Sequence, residues 1–208
     1  CDELVVATTR AEAVRLIGSE RPDTEWLRPD ADAQRDPLCS ACMYFALEHA
    51  PPVSTPVLTL NGKEQSSRIV NTLCFPSLVS PSYAPAGSHL ASVAIVGEPV
   101  ANALRASPAA DGLAEEQRAS LEAAVRSELS QWFGDAEVTS WRHLRTYALS
   151  CAQEGRPPPN AAGFDRDARL GGGVYACGDH LATPSLNGAL RSGRLAAEAL
   201  LADKAAQS

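Results

Sequence analysis

The sequence predicts a mixed α/β chain, in which a domain of parallel-type strands and helices is interrupted by an inserted antiparallel β-sheet with helix cover. Three observations carry this. An apolar run at residues 4–9 shows no alternation, the pattern of a parallel strand covered on both faces, and a helical pattern follows it. A second apolar strand, 174–177, precedes a helix rich in small residues near the C-terminus. Between them lie several short strand patterns and one long helix, and that order fits an interrupted domain. Residues 1–18 and 160–208 are then two ends of one domain, and residues 36–149 form the other.

Each element has a local reason. Residues 11–18 place Ala11, Val14, Leu16 and Ile17 at helical spacing, and Gly18 stops the helix. Residues 19–37 hold three prolines and many charges without periodicity, so they read as a linker or crossover. Residues 39–49 read as a strand ahead of Pro51-Pro52. Strands at 56–60 and 69–75 flank Asn61-Gly62, a strong hairpin signal because both residues tolerate positive φ. Residues 77–87 read as a loop and 89–96 as an alternating strand. The clearest helix is 114–133, with Leu121, Val125 and Leu129 on one stripe, Glu115-Glu116 in the first turn and Gly134 as its stop. Residues 138–149 read as a strand that puts Trp141 and Tyr147 on one face. Pro157-Pro158-Pro159 makes a stiff connector at 156–160.

Hydrophobic residues make up 45% and charged residues 21% of the 208, enough apolar content for a sizeable core. A net charge of −7 argues against a nucleic-acid partner, which would require a basic patch. No apolar run approaches the roughly 18 residues of a membrane span, and nothing supports membrane association. No signal peptide is visible. The chain opens at Cys1 in a strand-like run, from which an incomplete or processed N-terminus is expected. The six cysteines are sparse and several lie in apolar strands, so free thiols in a reducing compartment are expected. Cys39-Ser40-Ala41-Cys42 matches C-x-x-C, but residues three apart on a strand face opposite ways, which favours structural cysteines.

The chemistry concentrates near the C-terminus. The strand at 174–177 runs into Gly178-Asp179, and a helix begins near Ser185. Gly178 permits close backbone approach, and the Asp179 carboxylate is placed to accept hydrogen bonds from sugar-like hydroxyls. Leu186, Asn187, Gly188 and Ala189 leave first-turn N–H groups open to an anion or carbonyl oxygen, which the helix dipole favours. Gly188, Ala189, Ser192, Gly193, Ala196 and Ala197 keep one side thin, for ligand approach or for tight packing on a sheet. Thr8 and Thr9 close the first strand, either facing a ligand crevice or capping the next helix. Arg191 and Arg194 share a face and suit a phosphate or an ion pair. His180, beside Asp179, could contact a ligand edge, and no hydrolase triad motif is present.

The pairs Gly178-Asp179, Gly188-Ala189, Ser192-Gly193 and Ala196-Ala197 resemble the C-terminal flavin-binding segment of the FAD-dependent amine oxidase superfamily, which includes phytoene desaturases and protoporphyrinogen oxidases. The resemblance is specific over the last 35 or so residues. Leu60-Asn61-Gly62 and residues 80–90 are similar to plant and cyanobacterial members, which points to plastid or cytoplasm. The resemblance implies the C-terminal part of a Rossmann-like FAD-binding domain interrupted by an antiparallel substrate-binding domain. It implies that Gly178 and Asp179 hold the FAD pyrophosphate and ribityl chain. It also implies that the backbone at Leu186, Asn187, Gly188 and Ala189 meets the flavin pyrimidine edge. The implied activity is dehydrogenation of a small or apolar substrate. Two departures stand out. The family's G-x-G-x-x-G loop is missing, since Gly171-Gly172-Gly173 precedes a strand. Neither Lys63 nor Lys204 is placed as the lysine many amine oxidases keep near the flavin, which favours desaturase-like chemistry. An inactive fragment acting as an interaction module or remnant flavin-binding domain is the alternative, and an NAD(P)-binding protein is a third.

Overall fold

The computed structural model describes residues 2–18, 38–107, 112–153 and 165–207. The linker expected at 19–37 and the connector expected at 156–160 lie outside them. The chain forms two compact units, Pro37–Gln153 and Cys1–Asp36 with Glu154–Ser208.

The first of these is built on a five-stranded antiparallel sheet. Its strands are β2 (Leu38–Leu47), β3 (Thr59–Leu60), β4 (Thr72–Cys74), β5 (His89–Val96) and β6 (Arg142–Gln153), in the order β3-β4-β5-β2-β6. Alternation sorts the side chains. Ala41, Met43, Phe45 and Leu47 of β2 and Ala91, Val93 and Ile95 of β5 are buried on one face. Val100 of α3 (Glu98–Ala106), Leu121, Val125 and Leu129 of α4 (Glu115–Phe133) and Val138 of α5 (Asp135–Ser140) belong to the same core. The opposite face is open. There, the register sets Cys42 against Tyr147 and Ala94, and Tyr44 against Arg145 and Ser92.

Three features differ from the sequence reading. The 138–149 segment is not one strand. Gly134, at φ 87°, ends α4, the chain re-enters a short helix, and β6 starts only at Arg142. Trp141 lies in the turn, 1% exposed against Phe45, Phe75 and Phe133, while Tyr147 is 53% exposed on the open face. Second, β3 and β4 do pair antiparallel, but neither Asn61 nor Gly62 adopts positive φ, so Asn-Gly does not make the turn. Asn61 is instead an anchor: its Nδ2 donates to the Val70 carbonyl (2.8 Å) and to Glu128 (3.0 Å), and its Oδ1 accepts from the Lys63 N–H (3.1 Å). Third, the loop at 77–87 contains α2 (Pro76–Val79) and a 3-10 turn.

Glu128, on α4 and 5% exposed, holds that long β3–β4 loop. It accepts from the N–H groups of Ile69 (2.7 Å) and Val70 (2.8 Å), from Asn61, and from Lys63 (3.2 Å). Burial pushes its pKa up, but the hydrogen bonds from Val70, Ile69, Asn61 and Lys63 outweigh it and hold the carboxyl below the ordinary value.

The second unit holds β1 (Leu4–Val6) and β7 (Val174–Ala176), paired in parallel, with α1 (Arg10–Ile17) and α6 (Leu186–Gln207). A triple-glycine turn precedes β7, all three residues at positive φ, and folds 168–170 back along it through Leu170 N–H to Val174 O and Ala176 N–H to Ala168 O (both 2.8 Å). A Cβ on Gly173 would stand 2.7 Å from the Asp2 carbonyl oxygen. The expectation that β1 is covered on both faces is not met: Leu4 is 51% and Val5 43% exposed. They line an apolar hollow of about 440 Å³ with Leu16, Ile17 and Val174. No helix among the described residues is long and apolar enough to cross a membrane.

Candidate functional site

Parallel strands bring their carboxyl ends to the same edge, where ligands of open α/β sheets bind. The Cys177 N–H donates to Val6 O (2.9 Å), so Thr8 and Gly178 leave their strands side by side. Thr9, rather than Thr8, caps α1, its hydroxyl accepting from the Glu12 N–H (3.4 Å). The Thr8 carbonyl oxygen lies 3.5 Å from where a Cβ on Gly178 would stand.

Gly178 is a packing necessity. A Cβ there would meet the buried His180 ring at 2.5 Å, and the Gly178 N–H donates to Ser192 Oγ of α6 (3.1 Å). Asp179 opens a 3-10 turn, Asp179–Leu181, closed by Leu181 N–H to Gly178 O (3.1 Å). This turn packs on α6. The Asp179 carboxylate is half-buried and makes no hydrogen bond or ion pair with a described residue.

Helix α6 starts at the same loop. Ser185 Oγ accepts from Gly188 N–H (3.0 Å) and Ser185 O from Ala189 N–H (2.9 Å). Of the four first-turn N–H groups that a helix cannot bond internally, those of Leu186 and Asn187 bond to no described residue and are left for an outside acceptor. Both residues are exposed. Gly188 faces the loop: a Cβ would stand 1.8 Å from the Thr183 carbonyl oxygen. Its smallness therefore serves internal packing, while Gly193 has open space where a Cβ would be.

The structure thus sets Thr8 and Gly178 side by side and seats the Asp179 turn on the helix that carries Leu186, Asn187, Gly188 and Ala189. It removes others from candidacy. Arg191 pairs with Asp165 (2.7 Å), its hydrogen bond holding the Asp165 carboxyl below its ordinary value, and Arg194 pairs with Glu198 (2.7 Å). Lys204 pairs with Glu3 (3.0 Å). Cys39 donates to Ser150 O (3.1 Å) on the core side of β2, while Cys42 contacts Ser92 Oγ (3.3 Å) on the open side. Burial pushes the Cys177 thiol up. Sequence reasoning missed the parts played by Ser185 and Ser192. Pro184-Ser185 ahead of a small-residue helix is an N-cap signal that marks the first, and nothing local marks the second.

Comparison with known proteins follows this geometry. The profile of the flavin-containing amine oxidoreductases matches residues 40–201. The chain belongs to that family, whose cofactor is FAD. No curated protein matches the chain. Among solved structures, the PF1083 protein from Pyrococcus furiosus shares the fold at a TM-score of 0.55 and 15% identity, over 96% of this chain and 40% of that one. An oxidoreductase from Methanosarcina mazei aligns at a TM-score of 0.49 and 17% identity, over 93% of this chain and 43% of that one. The chain therefore spans less than half the length of either solved relative.

Proposed function

We propose that this chain is the C-terminal part of an FAD-dependent oxidoreductase that dehydrogenates a small or apolar substrate. In this reading residues 1–18 and 160–208 belong to a Rossmann-like FAD-binding domain, and 36–149 are an inserted substrate-binding domain. One observation carries it. At the carboxyl edge of the parallel strands, Asp179, a carboxylate that bonds to no described residue, sits on a turn packed against a helix with two first-turn N–H groups that bond to none either.

These residues fit the cofactor. Asp179 would accept hydrogen bonds from ribityl hydroxyls, as charge-assisted bonds that are stronger than neutral ones. The backbone of Gly178 and Thr8 would border the pyrophosphate. The N–H groups of Leu186 and Asn187, aided by the α6 dipole, would donate to a carbonyl oxygen of the ring edge. Gly188 lets the helix start close against the Thr183 loop, Ala189 adds only a methyl group, and Ser192 fixes Gly178 from behind. When bound, the flavin would supply the redox chemistry, and the protein the binding and orientation.

FAD titration followed by flavin fluorescence tests this. Asp179→Ala is expected to weaken FAD binding by roughly 1.5–3 kcal/mol, the range for a hydrogen bond to a charged group, which is about ten- to 150-fold in Kd. Unchanged affinity would remove Asp179 from the site. A full-length protein that retains no flavin would favour the remnant reading instead.

A further inference from the structure

Across a chain of net charge −7, the open face of the five-stranded sheet has an unusual charge pattern. Directly opposed residues share a face. The register therefore puts Arg142, opposite Ala46, and Arg145, opposite Tyr44, on the open side, with the irregularity between Tyr44 and Phe45 bringing the two arginines onto it despite their odd spacing. No carboxylate occupies that face among the described strand positions. Arg15, Arg118, Arg126, Arg169, Arg191 and Arg194 each pair with an acid. Arg142 and Arg145 are exposed and pair with none of the described acids.

The surface beside them is apolar and aromatic. The Arg145 guanidinium lies 5.2 Å from the Tyr147 ring centre, and Tyr147 meets Tyr44 edge to face at 6.3 Å. Tyr147 and Leu149 are more than half exposed. Cys42 Sγ contacts Ser92 Oγ (3.3 Å), and burial pushes the Cys74 thiol up.

We propose that this face binds an extended apolar carboxylate, the carboxylate held by Arg142 and Arg145 and the apolar body lying along Tyr147, Tyr44 and Leu149. It rests on reading residues 36–149 as the substrate-binding part, and it excludes a protonated amine as the ligand. Guanidinium groups match a carboxylate through paired N–H donors, and a cation meets no carboxylate at the described strand positions of the face.

Isothermal titration of the full chain at pH 7 with decanoate and with decylamine tests the proposal, since the two share a tail and differ in the sign of the head group. Decanoate is expected to bind at least tenfold tighter. The double variant Arg142→Gln/Arg145→Gln is expected to abolish that preference, and Tyr147→Ala to weaken decanoate binding with the preference retained. All three side chains are exposed, and circular dichroism checks that the variants fold. Equal or tighter binding of decylamine, unchanged decanoate affinity in the double variant, or no binding of either probe overturns the proposal. The assay contains no flavin, so its failure is separate from a failure of FAD binding in the Asp179→Ala titration.

Discussion

Gly188 and Gly193 lie five residues apart on one helix and should respond oppositely to the same change. At Gly188 a methyl group would collide with the Thr183 backbone, so Gly188→Ala should cost about 1–3 kcal/mol through overpacking. At Gly193 the space is open, and Gly193→Ala should gain about 0.8–1 kcal/mol from helix propensity. Urea denaturation of both variants checks this. The glycines were legible in the sequence, but their unlike roles were not, because a carbonyl five residues upstream of Gly188 has no sequence signature. Glu128 gives a second prediction at this scale. Its folded pKa lies below the ordinary 4.5, so its stabilising contribution is full above that value and is lost as pH falls through the folded value. Glu128→Gln should flatten the acid limb of the stability–pH curve below the ordinary value of 4.5, and a limb identical to that of the wild type would contradict the assignment.

Elements with a strong period were the most readable. The stripe Leu121, Val125, Leu129 marked α4, and the alternation over 89–96 marked β5. What failed was punctuation. The sequence reads Gly134 as the end of a helix before a strand, whereas it joins two helices, because the six residues of α5 are too few to show a period. Helix α3 lies beyond the elements the sequence predicts, although Gly97-Glu98-Pro99 is a helix-start pattern with proline in the first turn. Asn61-Gly62 predicted the pairing of β3 with β4 but not its cause, since the loop is held from α4. The α4–α5 junction is testable. Gly134 sits at φ 87° with no neighbour near a would-be Cβ, so Gly134→Ala should cost about 1–2 kcal/mol from backbone strain alone, read as a lower urea midpoint with an unchanged slope.

On the scale of the whole molecule, the two units differ in how much they bury. Pro37–Gln153 has a continuous core of sheet and helix residues, including Phe45, Met43, Leu129 and Trp141. Among its described residues the other unit has two small clusters, one around Leu170, Ala176 and Leu181 and one around Ala168, Cys177 and Ala196, and it leaves Leu4 and Val5 open to water. Hydrogen exchange should therefore be slowest in β2 and β5 and markedly faster in β1 and β7. Equal protection in both would contradict this ordering. The unassigned cover of β1 is where sequence pattern and structure part: an unbroken apolar run signals two covered faces, but cannot say which segment supplies the second cover.

The grip of Glu128 on residues 61–70 also has a consequence for the route of folding. The bonds from Ile69 and Val70 span 59 and 58 positions of chain. Closing so long a loop is entropically slow relative to forming α4 itself. The β3–β4 segment should consequently dock late, after helix and central strands have met, and truncating Glu128 should accelerate unfolding while leaving the refolding rate nearly unchanged.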